Sequence, residues 1–170
     1  MKAEARTRAK ASPAPAGDAP RTCLWLKNEA GRKGVPVLRS FQRWLDAIPD
    51  LDKRRGWSEL NVLIVGSAAG RRYNREFRGR DYATNVLSFP YEPMPGEHSG
   101  LLGDLVICAP VVAREAREQR KQTRDHFAHM TIHGVLHLLG YDHESDADAE
   151  RMEALERRIL ATLGIDDPYR

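Results

Sequence analysis

Between Thr123 and Leu139 apolar side chains point in nearly every direction around a helix: Phe127, Met130, Ile132, Val135, Leu136, Leu138 and Leu139. At 3.6 residues per turn they leave no continuous polar stripe, so a helix of this kind has to be enclosed by other elements. A chain of 170 residues is long enough for one such core, and its remaining segments read as the wrapping. Residues 22–28 resemble a short strand. Residues 36–48 repeat Val37, Leu38, Phe41, Trp44, Leu45 and Ile48 at helical spacing. Leu60–Val65 is a continuous apolar run, expected to be a strand buried on both faces. Residues 67–77 form a short arginine-rich helix, and 84–89 and 101–108 form two strands whose proline- and glycine-containing link predicts an antiparallel pair. Pro110 opens a further helix. Ser145 with Asp148 forms a capping pattern before a last helix that Gly164 ends. The order β-α-β-α-β-β-α-α-α predicts a single α+β domain, a small mixed sheet packed by helices around the central buried helix.

That helix also carries the chain's most specific chemistry. Five of the six histidines lie between residues 126 and 143. His133 and His137 are one turn apart and share a face. Gly140 can take positive φ and end the helix, which lets the chain return His143 to the same point. Three neutral imidazoles bind Zn²⁺ at about 2.0–2.1 Å and leave a fourth position open, the ligand count of a catalytic site. The alternative is a set of satisfied core histidines. Imidazole also suits nickel or copper, so the spacing leaves the ion open between zinc and these metals. His126, His129 and His98 read as packing or surface residues.

Composition narrows the class. The chain is 41% hydrophobic and 30% charged, ordinary for a soluble globular protein. No apolar run approaches the roughly 20 residues of a membrane span, and no secretory h-region is visible. Cys23 and Cys108 lie in apolar, strand-like surroundings and read as reduced core residues, which fits a cytoplasmic location. The net charge of +3 is carried by the first 22 residues, and the rest of the chain is balanced. Overall basicity therefore gives no argument for nucleic acid binding. Residues 1–21, basic and rich in Ala and Pro, read as a disordered tail before a domain spanning 22–170.

A metal on three neutral ligands keeps its full charge and favours hydrolysis. The spacing H-x3-H-x5-H matches zincin peptidases, but Gly134 stands where their general-base glutamate follows the first histidine, so peptide hydrolysis by that route is not expected. Gly134 serves either close helix packing or access for a bulky substrate. A phosphodiester asks instead for cations around its spreading negative charge. Residues 71–80 contain five arginines, Arg71, Arg72, Arg75, Arg78 and Arg80.

The run His133-Gly-Val-Leu-His-Leu-Leu-Gly-Tyr-Asp-His143 resembles the signature of the YbeY family of metal-dependent endoribonucleases, also described as rRNA maturation factors. The resemblance extends to Phe77-Arg-Gly-Arg-Asp-Tyr-Ala-Thr-Asn-Val-Leu-Ser-Phe-Pro90, to Leu102-Gly-Asp-Leu-Val-Ile-Cys108 and to Arg151-Met-Glu-Ala-Leu-Glu156, and covers about residues 58–169. It implies a small α+β fold with a central metal helix, and cleavage of single-stranded RNA in rRNA maturation and ribosome quality control. The implied partners are rRNA and the ribosome or its proteins; no membrane and no DNA are expected. His133, His137 and His143 match the metal ligands. Arg78 matches an arginine needed for activity, with Arg80 beside it on the substrate. Arg80 stands where Lys is usual and Ala83 where Pro is usual, both mild departures. The nucleophile would be water or a ribose 2′-hydroxyl, and Asp142 and Asp104 are candidates for proton transfer or for orienting the ligands. A ribosome-assembly module with a structural metal is the rival reading.

Overall fold

The computed structural model describes residues 22–49, 51, 59–97, 99–142 and 144–170. The expected tail at 1–21, His98 and the third expected ligand, His143, lie outside the described residues. Within them the chain runs β1 (Cys23–Asn28), α1 (Leu38–Asp46), β2 (Glu59–Val65), α2 (Ser67–Arg78), β3 (Val86–Pro90), β4 (Leu101–Cys108), α3 (Ala109–Glu118), α4 (Thr123–Leu138) and α5 (Asp146–Thr162). This is the element order that periodicity and punctuation predict.

The four strands form one sheet in the order β1-β2-β4-β3. β1 pairs with β2 and β2 with β4 in parallel. β3 pairs antiparallel to β4, with Leu87 opposite Val106 and Phe89 opposite Asp104. The parallel pairs need crossovers, which α1 and α2 supply, whereas β3 and β4 need only their turn-rich link. β4 passes directly into α3, where Pro110 sits in the first turn and has no N–H to leave unpaired.

Alternation along the strands assigns the two faces. Leu60, Val62, Ile64, Leu105 and Ile107 are buried in the main core with Phe41, Trp44, Phe127, Ile132 and Leu136. α4 lies across this face and is also packed by α1, α3 and α5, so it is enclosed as its all-round apolar sequence requires. Val65, Leu87, Val106 and Cys108 face the other way, onto a smaller cluster under α2. β2 departs from expectation here. It is buried on the α4 face, but Asn61 and Leu63 are only half-buried on the other. α2 covers only part of that face and leaves a groove of about 630 Å³ lined by Trp25, Leu63, Tyr73, Phe77 and Phe89 among others. Cys23 also departs from expectation. It sits exposed on the edge strand β1, while Cys108 is buried as expected.

Two local rules place the next parts. Gly140 has φ +89 and ends α4. Its N–H donates to the His137 carbonyl at 2.9 Å, and Tyr141 N–H donates to Leu136 O at 3.0 Å, the pairing that reverses a chain at a helix C-terminus. Ser145 then caps α5 by accepting the Asp148 N–H.

Candidate metal centre

α4 carries four histidines as a ladder along one side of the helix. His126, His129, His133 and His137 follow one another with ring centroids 6.0, 6.2 and 4.6 Å apart. The last pair is the closest: Nε2 of His133 lies 3.1 Å from Nε2 of His137. Two nitrogens sharing one tetrahedral Zn²⁺ at 2.0–2.1 Å stand about 3.3 Å apart, so this separation is within a few tenths of an ångström of what a common ion requires. Helical spacing alone could not specify which ring nitrogens meet.

Glu156 supplies that specification. Its carboxylate is fully buried, against α4, in the middle of the apolar face of α5. Oε1 lies 2.7 Å from His133 Nδ1, and Oε2 lies 3.5 Å from His129 Nε2 and also accepts the Tyr169 hydroxyl. Burial alone would raise the carboxyl pKa, but hydrogen bonds from His129, His133 and Tyr169 outweigh it and hold the group at about 2. An ionised carboxylate can only accept. His133 therefore carries its proton on Nδ1 and presents a lone pair at Nε2, toward His137. A carboxylate behind a histidine is the usual arrangement for fixing a metal ligand's tautomer and ring orientation.

A second grouping shares His133. Ligand atoms of His129, His133 and Glu156 lie within 4.8 Å of one another and could hold a metal ion. Burial pushes the His129 imidazole pKa below its ordinary value, ahead of the opposing effect of Glu156. His129 is buried, as expected of a packing residue, and also contributes a nitrogen to this second grouping. Sequence patterns assign no role to Glu156 or Tyr169. One signal for Glu156 was present: a carboxylate at helical spacing between Met152 and Ile159, two residues of the α5 core face. Nothing local singles out Tyr169.

Gly134, left open between packing and access, faces the sheet. A Cβ there would stand 2.9 Å from Leu105 Cδ2, 3.2 Å from Ser88 Oγ and 3.2 Å from Val86 Cγ2. Its carbonyl accepts the Ser88 hydroxyl at 3.2 Å. The glycine serves the approach of α4 to β3 and β4.

The arginines separate by partner. Arg71 forks onto Asp81 at 2.8 and 2.5 Å, and Arg75 reaches the same carboxylate at 3.8 Å. Arg72 lies over the Tyr73 ring. Arg80, past the left-handed Gly79, donates to the Tyr82 hydroxyl at 3.0 Å. Arg78 ends α2, is exposed, and its side chain makes no hydrogen bond or ion pair among the described residues. No hydrogen bond joins Arg78 or Arg80 to His133 or His137. Asp104 is on the α2 face of the sheet, where it accepts from Asn61 at 2.7 Å and lines the groove, so the candidate role beside the ligands does not fit it. Asp142 is exposed in the turn after Gly140.

A family model described as endoribonuclease YbeY matches residues 27–164. The chain belongs to the YbeY family. Among curated members, the endoribonuclease YbeY of Alkalilimnicola ehrlichii is 59% identical over 143 residues, covering 83% of this chain and 86% of that one. The endoribonuclease YbeY of Stenotrophomonas maltophilia strain K279a is 58% identical over 142 residues, covering 81% and 87%. The fold is also that of TM1509 from Thermotoga maritima, solved in solution: TM-score 0.54, 24% identity, 87% of this chain and 99% of that one covered. The family match takes in α4, α5, Arg78, the histidine pair and Glu156, and stops before Tyr169.

Proposed function

We propose that this chain is a zinc-dependent endoribonuclease that cuts single-stranded RNA during rRNA maturation and ribosome quality control in the cytoplasm, and that residues 22–170 form its catalytic domain. The observation that carries the reading is the convergence of the His133 and His137 Nε2 atoms at 3.1 Å, backed by Glu156. The names of the curated relatives support the RNA substrate. His133 and His137 would hold the ion, with His143, three residues past Gly140 in the sequence, as third ligand. The rear group of His129, His133 and Glu156 is the less suitable seat. Its 2.7 Å Nδ1–Oε1 separation is the length of a hydrogen bond, and a proton already occupies it.

When bound, a divalent ion held by neutral imidazoles supplies a Lewis acid for a phosphoryl oxygen and its nucleophile. The protein's own groups do the rest. Glu156 keeps the His133 proton on Nδ1 and so keeps Nε2 available. Arg78 is an exposed guanidinium whose side chain has no hydrogen-bond or ion-pair partner among the described residues, suited to fork onto a phosphate and to stabilise charge that builds on it. Arg80 binds the neighbouring backbone once it leaves Tyr82. A ribose 2′-hydroxyl as nucleophile would leave a cyclic phosphate and would spare DNA.

The test is cleavage of matched single-stranded RNA and DNA by purified protein, with metal content measured on the same samples. Parent protein is expected to cut RNA only and to carry about one equivalent of zinc. His137→Ala is expected to lose both the metal and the cleavage. Arg78→Ala is expected to keep the metal and lose most of the cleavage. A folded His137→Ala protein that still cuts would sink the site assignment.

A further inference from the structure

The C-terminal segment reaches the back of the candidate metal centre. After α5, Gly164 takes φ +73, and Ile165 N–H donates to Leu160 O at 3.0 Å, which turns the chain back along its own helix. Four contacts then order the returning segment. Lys121 Nζ donates to the Pro168 carbonyl at 2.5 Å. Arg157 pairs with Asp167 at 3.4 Å and lies over the Tyr169 ring at 4.9 Å. The Tyr169 backbone N–H donates to Asp167 Oδ1 at 3.0 Å. The residue is 42% exposed, yet its hydroxyl reaches the fully buried carboxylate of Glu156. The ring stands edge-on to His129, centroids 5.5 Å apart.

We propose that Tyr169 is a positioning residue of the metal centre, its hydroxyl orienting Glu156 so that Oε1 accepts the hydrogen bond from His133 Nδ1 and turns Nε2 toward His137. The inference rests on the reading of His133 and His137 as ligands. The geometry divides the work of one carboxylate. Oε1 serves His133, while Oε2 is occupied by Tyr169 and approached by His129. Without the phenol, the longer 3.5 Å contact with His129 is what Oε2 keeps among the described residues. The carboxylate could then rotate about its terminal torsion, which is intrinsically broad. Burial and the neighbouring carboxylate both push the phenol pKa up, so Tyr169 stays a donor throughout the neutral range. Partners that orient a ligating histidine commonly change metal affinity or activity by about 10–100-fold when removed.

The test uses the full chain and Co²⁺ as a spectroscopic probe, with affinity measured by chelator competition and RNA cleavage assayed in parallel. Tyr169→Phe keeps the ring and its packing. It is expected to bind Co²⁺ about tenfold more weakly and to change the cobalt absorption bands, while circular dichroism stays that of the parent. Glu156→Gln is expected to lose more. Arg157→Gln loosens the segment without touching Glu156 and is expected to weaken binding in the same direction, so the proposal remains testable if Tyr169→Phe folds poorly. Parent-like Co²⁺ affinity and bands in Tyr169→Phe, with only a lower melting temperature, would overturn it. His137→Ala separates the two levels. If it abolishes Co²⁺ binding while Tyr169→Phe binds normally, the positioning role alone fails. If His137→Ala binds like the parent while Tyr169→Phe is weakened, the ion sits in the rear group and both readings fail.

Discussion

The first and second halves of α4 carry the same side chain in two settings. His126 is buried, and its Nε2 lies 2.8 Å from a Glu115 carboxylate that also accepts from Asn85. His129, one turn on, is buried against Glu156 and Tyr169. His133 and His137 are half-buried and turn ring nitrogens toward each other. A histidine with a carboxylate on one nitrogen and protein around the other is a structural group. The same carboxylate arrangement with the far nitrogen facing a second imidazole is the arrangement proposed for the ligand pair. His133 belongs to both settings, because Glu156 holds its inner nitrogen and His137 meets its outer one. What separates the two halves is what the second nitrogen finds, and that is a property of the surrounding elements.

The comparison can be broken most directly at its outer end. His133→Ala or His137→Ala should lower RNA cleavage by at least about 100-fold, roughly 2.7 kcal/mol or more at the transition state, with loss of bound metal and a retained fold. His126→Ala should leave cleavage within a few-fold. If the two halves respond alike, the distinction is wrong. At the shared carboxylate, Glu156→Ala removes the acceptor for His129, His133 and Tyr169 together. Stability should fall by about 3 kcal/mol in urea unfolding, with an unchanged denaturant slope. His126→Ala deprives a part-buried Glu115 of its partner and should cost about 1–3 kcal/mol, a purely structural loss.

The side of α4 that faces the sheet gives a smaller effect. Gly134→Ala should destabilise by about 1 kcal/mol, because overpacking against Leu105, Ser88 and Val86 costs roughly 1–3 kcal/mol while alanine regains about 1 in helix propensity. Parent-like stability in that variant would mean that the sheet yields easily and that Gly134 is not needed for the helix approach.

Acid should sharpen the same picture. Burial lowers the His129 pKa in the folded state, so the unfolded chain takes up a proton first and stability falls as pH drops below the ordinary value of 6.5. Glu156 is held at about 2 against 4.5 for the free group. Its contribution is complete above 4.5 and is lost as pH falls from there toward 2. Melting temperature followed from pH 7 to 3 should decline over both windows, and Glu156→Gln should flatten the lower one.

Much of this is legible in the sequence. Apolar periodicity and the placement of Gly140, Ser145, Gly164 and Pro110 follow local rules about φ, caps and faces, and these carried the element order, the antiparallel β3–β4 pair and the enclosure of α4. Local rules were also enough to put His133 and His137 on one face. They misjudged the second face of β2 and the exposure of Cys23, because both depend on how far α2 extends over the sheet and on which strand lies at its edge. They left Gly134 undecided, because only the position of Leu105 and Ser88 says which way a Cβ there would point.

The sequence by itself determined that a central helix bears paired histidines and that a glycine ends it, since each of these is a matter of spacing within a few residues. Only the tertiary structure decided that Glu156, 23 residues beyond His133, supplies the carboxylate, and that Tyr169, 13 residues further, donates to it. The reason is physical. A hydrogen bond between a buried carboxylate and an imidazole needs two atoms within about 3 Å. No pattern along a chain encodes that distance until α5 has packed against α4 and the C-terminal segment has folded back over both.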